Sequence, residues 1–207
     1  VGAFEFKRTS YNGYHELAYL HPNHFVPSKS IVEKYISTST PFYILRFAKL
    51  NAYHDIGVKG IKTSIANKLI QLLQPHGKVY ITSEVELDNQ LEKFRIAIDP
   101  IDMHHVMAFA SLFIGDSQTM AAEAGVLGIP FIRYNDFVGK IGYLNDIENK
   151  YKLGFGIKPG NEEKLFNAVK ILLAQDNLKP IWEKKRDLML SEKIDTSKFF
   201  IWYIKNY

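Results

Sequence analysis

The alternation of strand and helix signals between residues 41 and 173 constrains the fold more than any other property of the chain. Phe42-Tyr43-Ile44-Leu45-Arg46-Phe47 is a short apolar run of the kind that forms a strand buried on both faces. A polar loop through Asn51, His54, Asp55 and Gly57 follows. Ile61, Ile65, Leu69 and Leu73 then recur at helical spacing until Pro75 and Gly77 end the helix. Lys78-Val79-Tyr80-Ile81-Thr82-Ser83 supplies the next strand, followed by a helix over 101–110 opened by Asp102. Leu112-Phe113-Ile114-Gly115 precedes a helix over 118–127 that ends at Gly128, and a strand over 130–133 precedes a helix over 141–151 bounded by Gly154. Leu165, Ala168, Val169, Leu172 and Leu173 mark one more amphipathic helix, with Asn161 as its cap and Glu162 and Glu163 in its first turn. Parallel strands joined through helices need crossovers, so the sequence predicts an α/β, Rossmann-like, mainly parallel sheet with helices on both faces. Such sheets bind ligands beyond the carboxyl ends of the strands, where the strand order reverses. The loops that matter are therefore 49–60, 83–87, 98–103, 115–119 and 134–142.

The length of 207 residues corresponds to about 1.4 domains at 150 residues each, more than one compact domain and less than two. The whole domain is expected over residues 41–193. Residues 1–40, rich in Tyr, Pro and His without a clean period, are expected to be a linker from the end of a missing amino-terminal domain, and residues 194–207 a carboxyl-terminal crossing helix. The absence of cysteine excludes a disulfide scaffold, a thiolate zinc site and a cysteine nucleophile. No apolar run approaches the roughly 18 to 20 residues of a membrane span, and residues 1–8 lack the apolar stretch of a signal peptide, so the expectation is a cytoplasmic protein. A net charge of +4 hints at an anionic partner. Its basic residues are scattered, with no basic stripe interleaved with aromatics, which argues against nucleic acid.

The richest stretch runs from Gly115-Asp116-Ser117-Gln118-Thr119 to Glu123 and on to Leu127-Gly128-Ile129-Pro130, leaving a strand and opening a helix. Ser117 is a natural N-cap. The free N–H groups behind it, with the hydroxyl of Thr119, would present donors to an anion such as a diphosphate. Glu123 is the only charge between Asp116 and Arg133 and lies on the face of Thr119, one turn below the anion site. There a carboxylate would accept hydrogen bonds from a ribose diol. An ordinary capped helix with a salt-bridged Glu satisfies the same spacing.

These residues resemble the nucleotide-sugar segment of the GT-B superfamily. The run from Ala110 to Arg133 is similar to the carboxyl-terminal domain of UDP-N-acetylglucosamine 2-epimerases, where a strand ending in Asp-Ser is followed by a helix bearing a Glu and then by Leu-Gly-x-Pro. The resemblance implies that Ser117 and the helix amino terminus hold the diphosphate and that Glu123 holds the ribose. Gln118 and Thr119 stand where the pattern usually has glycines, so their side chains would have to donate in place of a close backbone. Arg46 to Gly57 and Arg133-Tyr134-Asn135-Asp136 also resemble an uncharacterised family of GT-B-like proteins related to these epimerases. By the same resemblance His54 faces the sugar diphosphate, as a donor or a general acid toward the leaving nucleotide; a loop His paired with Asp55 is the plainer alternative. Asp102, Met103 and His104 match the position where the superfamily holds the base by main-chain contacts. His104 and His105 point about 100° apart on a helix and cannot chelate together, so no metal is expected. Glu16 matches a cleft-lining acid of the epimerases, against the alternative of an exposed surface Glu.

The expectation is the nucleotide-sugar half, UDP-sugar by analogy, of a GT-B glycosyltransferase or a 2-epimerase-like enzyme. It would use no cofactor beyond the UDP-sugar substrate, and alone it should bind without turning over. The alternative is a non-catalytic nucleotide-binding or protein-interaction domain. Lys198-Phe199-Phe200-Ile201-Trp202-Tyr203-Ile204-Lys205 would pack on the missing domain; a peripheral membrane contact and a homodimer contact are the other uses such an aromatic face admits.

Overall fold

The computed structural model describes residues 9–48 and 60–206. Five strands, β1 (Phe42–Phe47), β2 (Lys78–Ser83), β3 (Leu112–Gly115), β4 (Phe131–Tyr134) and β5 (Gly154–Ile157), form one sheet in the order β2-β1-β3-β4-β5, every pairing parallel. The parallel Rossmann-like sheet read from the alternation is therefore present. Its central strands are apolar on both faces: all four residues of β3 and of β4 are buried, and in β1 only Arg46 reaches partly out.

The helices are α1 (Leu17–Leu20), α2 (Lys29–Val32), α3 (Thr63–Leu73), α4 (Asn89–Glu92), α5 (Met103–Met107), α6 (Gln118–Val126), α7 (Gly142–Asn145), α8 (Glu162–Leu173), α9 (Leu178–Glu192) and α10 (Thr196–Asn206). Helix α3 buries Ile65, Ala66, Leu69, Ile70 and Leu73, and α8 buries Leu165, Ala168, Val169 and Leu172, as their spacing predicts; the two helices pack together. Three local expectations need correction. The helix expected over 101–110 is only α5, and Asp102 does not cap it: its backbone is already helical, and its Oδ2 accepts the Tyr35 hydroxyl at 2.9 Å. Asn161 makes no cap hydrogen bond to α8 either; its amide nitrogen donates to Lys158 O at 3.3 Å. The helix expected over 141–151 begins as α7 and widens into a π-helical turn, Asp146–Lys150, which buries Ile147 and Glu148 against the sheet.

Chain order and spatial order part company between β1 and β3, the switch point where a ligand crevice is expected. Two segments that flank the sheet domain in sequence contribute to the same core. Tyr14, Leu17, Leu20, Val32 and Ile36 are almost completely buried. Helix α1 packs on α6 and α10, and Thr196 and Ser197 of α10 donate to the carbonyls of Tyr14 and Ala18.

Candidate functional site

Strand β3 ends at Gly115, and its side-chain position is filled from both sides. A Cβ there would lie 2.9 Å from Arg46 Cβ and 3.0 Å from the Phe113 ring, so the chain leaves the sheet at a residue that cannot carry a side chain. Asp116 follows, 3% exposed. Its Oδ1 accepts from Ala48 N at 2.7 Å and its Oδ2 from Ile61 N at 3.2 Å. One carboxylate therefore grips the chain on both sides of residues 49–59, across the switch point. Burial pushes its pKa up to about 6, against the pull of these N–H groups and of Arg46. Asn135, fully buried at the end of β4, donates to Asp116 O at 2.9 Å and orders the next loop by accepting Phe137 N at 2.7 Å.

Ser117 caps α6 as expected: its Oγ accepts from Met120 N at 3.3 Å. The free N–H groups of the first turn thus open at the carboxyl end of β3, beside the switch point, with a positive end of the helix dipole behind them. Gln118 and Thr119 begin the helix, Thr119 exposed and Gln118 partly covered.

Glu123 is 7% exposed and sits one turn and a half below Ser117. Its Oε1 accepts the Tyr19 hydroxyl at 2.9 Å and meets His104 Nε2 at 3.0 Å. Three elements that are remote in sequence, α1, α5 and α6, are joined at this oxygen. Burial, followed by the carboxylates of Glu123 and Glu16, pushes the Tyr19 phenol well above its ordinary pKa, so it stays a donor. The adjacent His105 points elsewhere: its Nδ1 accepts from Ser28 N at 3.0 Å and its ring lies 4.8 Å from that of Phe25. The two histidines diverge, as helical geometry requires. Met103 packs partly buried against the core beside them. Among the described residues no group of three or more His, Asp or Glu side chains is arranged to hold a metal ion.

Glu16 is not a surface carboxylate. It is 3% exposed, faces Tyr143, and is held above the ordinary carboxylate range chiefly by burial. Of the sequence-derived site residues, Ser117, Gln118, Thr119, Glu123 and His104 come together around α6, with Asp102 and Met103 at the start of α5 and Glu16 on the approach to α1. His54, and Asp55 beside it, lie outside the described residues.

Several residues that shape the site were not singled out from the sequence. Arg133 is completely buried, donating from Nε to Glu148 Oε1 at 2.8 Å and from Nη1 to Gln118 Oε1 at 2.5 Å. A lone arginine in the otherwise apolar strand Phe-Ile-Arg-Tyr was the available signal. Tyr19 and Tyr143 carried none, lying in segments without periodicity or with a helical period that describes only their neighbours. A separate cavity of about 390 Å³ lies at the amino-terminal ends of the strands, lined by Pro41, Ala110, Pro130 and Leu172 among others. It is far from the strand ends that bear the donors, and its lining is mainly apolar.

No family model and no curated protein matches this sequence. Solved structures do. The chain's fold is shared with solved structures that include glycosyltransferases. Anabaena Alr3699/HepE, solved in complex with UDP and glucose, matches with a TM-score of 0.61 and 14% identity over 97% of this chain and 57% of its own. Os79 from O. sativa, in complex with UDP and deoxynivalenol-3-glucoside, matches with a TM-score of 0.57 and 13% identity over 91% of this chain and 47% of its own. CalG4, the calicheamicin glycosyltransferase, matches with a TM-score of 0.55 and 16% identity over 82% and 44%. The chain thus spans about half the length of these GT-B structures. At such identities the likeness is one of fold, and it places α6 and the switch point in a sheet of the same architecture.

Proposed function

We propose that this chain is the nucleotide-sugar-binding half of a GT-B glycosyltransferase, taking a UDP-sugar. The observation that carries the reading is the pairing on α6 of a serine-capped amino terminus at the β1/β3 switch with a buried carboxylate, Glu123, on the flank below it. The first offers donors and positive potential to a diphosphate; the second offers acceptors to a ribose diol. Two structures of the same fold, those of Anabaena and O. sativa, hold UDP. Both bonds made to Glu123 by Tyr19 and His104 fall on Oε1, so Oε2 is the oxygen assigned to the ribose.

In this reading Ser117 and Thr119 bind the diphosphate, and the α6 dipole stabilises the negative charge that grows on it as the glycosidic bond breaks. The start of α5, at Asp102, Met103 and His104, borders the base. His54, which lies outside the described residues, keeps the role the resemblance implies for it, that of a donor or general acid toward the diphosphate. Glu16 contributes a carboxyl group that burial favours in its protonated form. The acceptor side belongs to a second domain. Transfer is preferred to 2-epimerisation because structures that share the fold include the calicheamicin glycosyltransferase CalG4 and the spinosyn rhamnosyltransferase SpnG.

Titration calorimetry tests the reading. UDP and UDP-N-acetylglucosamine should bind the chain, and Glu123→Gln should weaken UDP by about 10-fold, the cost of one hydrogen bond to a charged group. The same substitution should matter much less for 2′,3′-dideoxy-UDP, which lacks both hydroxyls of the diol. Absence of binding by the unsubstituted chain, or an equal Glu123→Gln effect on both nucleotides, would overturn the assignment of Glu123 to the ribose.

A further inference from the structure

We propose that the side-chain amide of Gln118, held in one orientation by Arg133, donates a hydrogen bond to a phosphate oxygen of the bound nucleotide. This rests on the nucleotide reading above and adds to it a ligand-binding donor and a positioning residue.

The orientation follows from the chemistry of the partners. Arg133 has no exposure; it donates Nη1–H to Gln118 Oε1 at 2.5 Å and Nε–H to Glu148 at 2.8 Å. A guanidinium carries only donors, so the oxygen end of the Gln118 amide must face it and the Nε2 hydrogens must face away. Gln118 Nε2 is buried and has no partner among the described residues, and the same is true of Arg133 Nη2. Buried donors are nearly always paired, and those that are not call for an unseen acceptor. Here two such donors belong to side chains that touch each other, at the first residue of a nine-residue helix.

The missing group must accept rather than donate. An amine or a metal cation cannot satisfy two N–H groups, whereas the oxygens of a phosphate can. Glu148 already balances the charge of Arg133, with a side chain only 5% exposed. The arginine therefore acts by fixing the amide, not by adding net charge to the site. The competing occupant is an internal water molecule.

Calorimetry on the full chain with UDP and with uridine separates these cases. Gln118→Leu should weaken UDP about 10-fold and leave uridine unchanged, because only UDP carries the phosphates. Gln118→Glu keeps an oxygen toward Arg133 and presents a second, anionic one to the ligand. It should hold or raise the Tm while weakening UDP about 100-fold or more. In an Arg133→Met background, Gln118→Leu should cost nothing further, and Arg133→Lys should recover part of the loss. If both Gln118 variants bind UDP like the parent while Glu123→Gln does not, the amide holds a water and the inference alone fails. Equal losses for UDP and uridine would mark a structural effect and overturn it as well. If the parent chain binds no UDP, the nucleotide reading fails and this inference with it.

Discussion

Asp116 shows how one buried carboxylate ties ligand geometry to stability. Its two oxygens accept from Ala48 and Ile61, and burial lifts its pKa from 3.8 to about 6. Between pH 4 and 6 the folded chain holds a proton that the unfolded chain has released. The contribution of this group to stability therefore falls as pH rises through that window, by at most about 3 kcal/mol for a gap of two pH units. Asp116→Asn removes the titration and leaves one of the two N–H groups facing an amide donor, a cost of about 1–3 kcal/mol to which the pH-dependent contribution of the parent's carboxyl adds. Denaturant unfolding of both proteins at pH 4.5 and pH 7 should show the advantage of the parent shrinking toward neutral pH; a difference independent of pH would show that another group titrates. Asp195 carries the opposite sign. Burial alone would raise it, but hydrogen bonds from Asn23, His24 and Lys198 N together outweigh burial and hold its carboxyl below the ordinary range. Its contribution is complete above pH 3.8 and is lost as acid protonates it.

Strand β5 is the element the sequence concealed. Gly154-Phe155-Gly156-Ile157 has two glycines in four residues, the composition of a turn, and it pairs only with β4. The glycines are there for packing. A Cβ on Gly154 would fall 2.4 Å from two atoms of the buried Phe131 ring, and one on Gly156 would fall 2.5 Å from Glu148 Oε2. Phe131 has no free space in which to yield, so Gly154→Ala should cost at least the 1–3 kcal/mol typical of overpacking. Chemical denaturation would read it; a loss under about 0.5 kcal/mol would mean that β5 moves away easily. The long signals were legible: apolar runs for β1 to β4, helical periods for α3 and α8, and the Ser117 cap and Gly128 stop that bound α6. What stayed hidden depends on partners far away in the chain. Asp102 binds the Tyr35 hydroxyl and makes no cap to α5, and Arg133, Gln118 and Glu148 form a set only once β4, α6 and the π-helical turn meet. Of the candidate site, the Ser117 to Glu123 helix could be read directly, while the Tyr19 and His104 contacts to Glu123 could not.

At the scale of the molecule, the two segments that flank the sheet domain in sequence are knitted to each other and to α6. Asp195 caps α10 through Lys198 N at 3.1 Å and binds Asn23 and His24, each at 2.8 Å, while Tyr19 of α1 reaches Glu123. Stability and ligand binding are thus carried by neighbouring but separable contacts. A ligand that binds only the folded state adds about 2.7 kcal/mol at one hundred times its Kd, which for a chain of about 200 residues raises the Tm by roughly 5–10 °C. Asp195→Ala should lower the Tm of the free chain and leave the UDP-induced rise nearly intact, because the partners of Asp195 and of Glu123 are not shared and independent sites add. Glu123→Gln should shrink the rise at the same UDP concentration. Differential scanning calorimetry of the three proteins with and without UDP decides the matter. If Asp195→Ala abolished the rise, the crossing segments would be part of the nucleotide site itself, and the binding unit would extend beyond the sheet and α6 to include α1 and the start of α10.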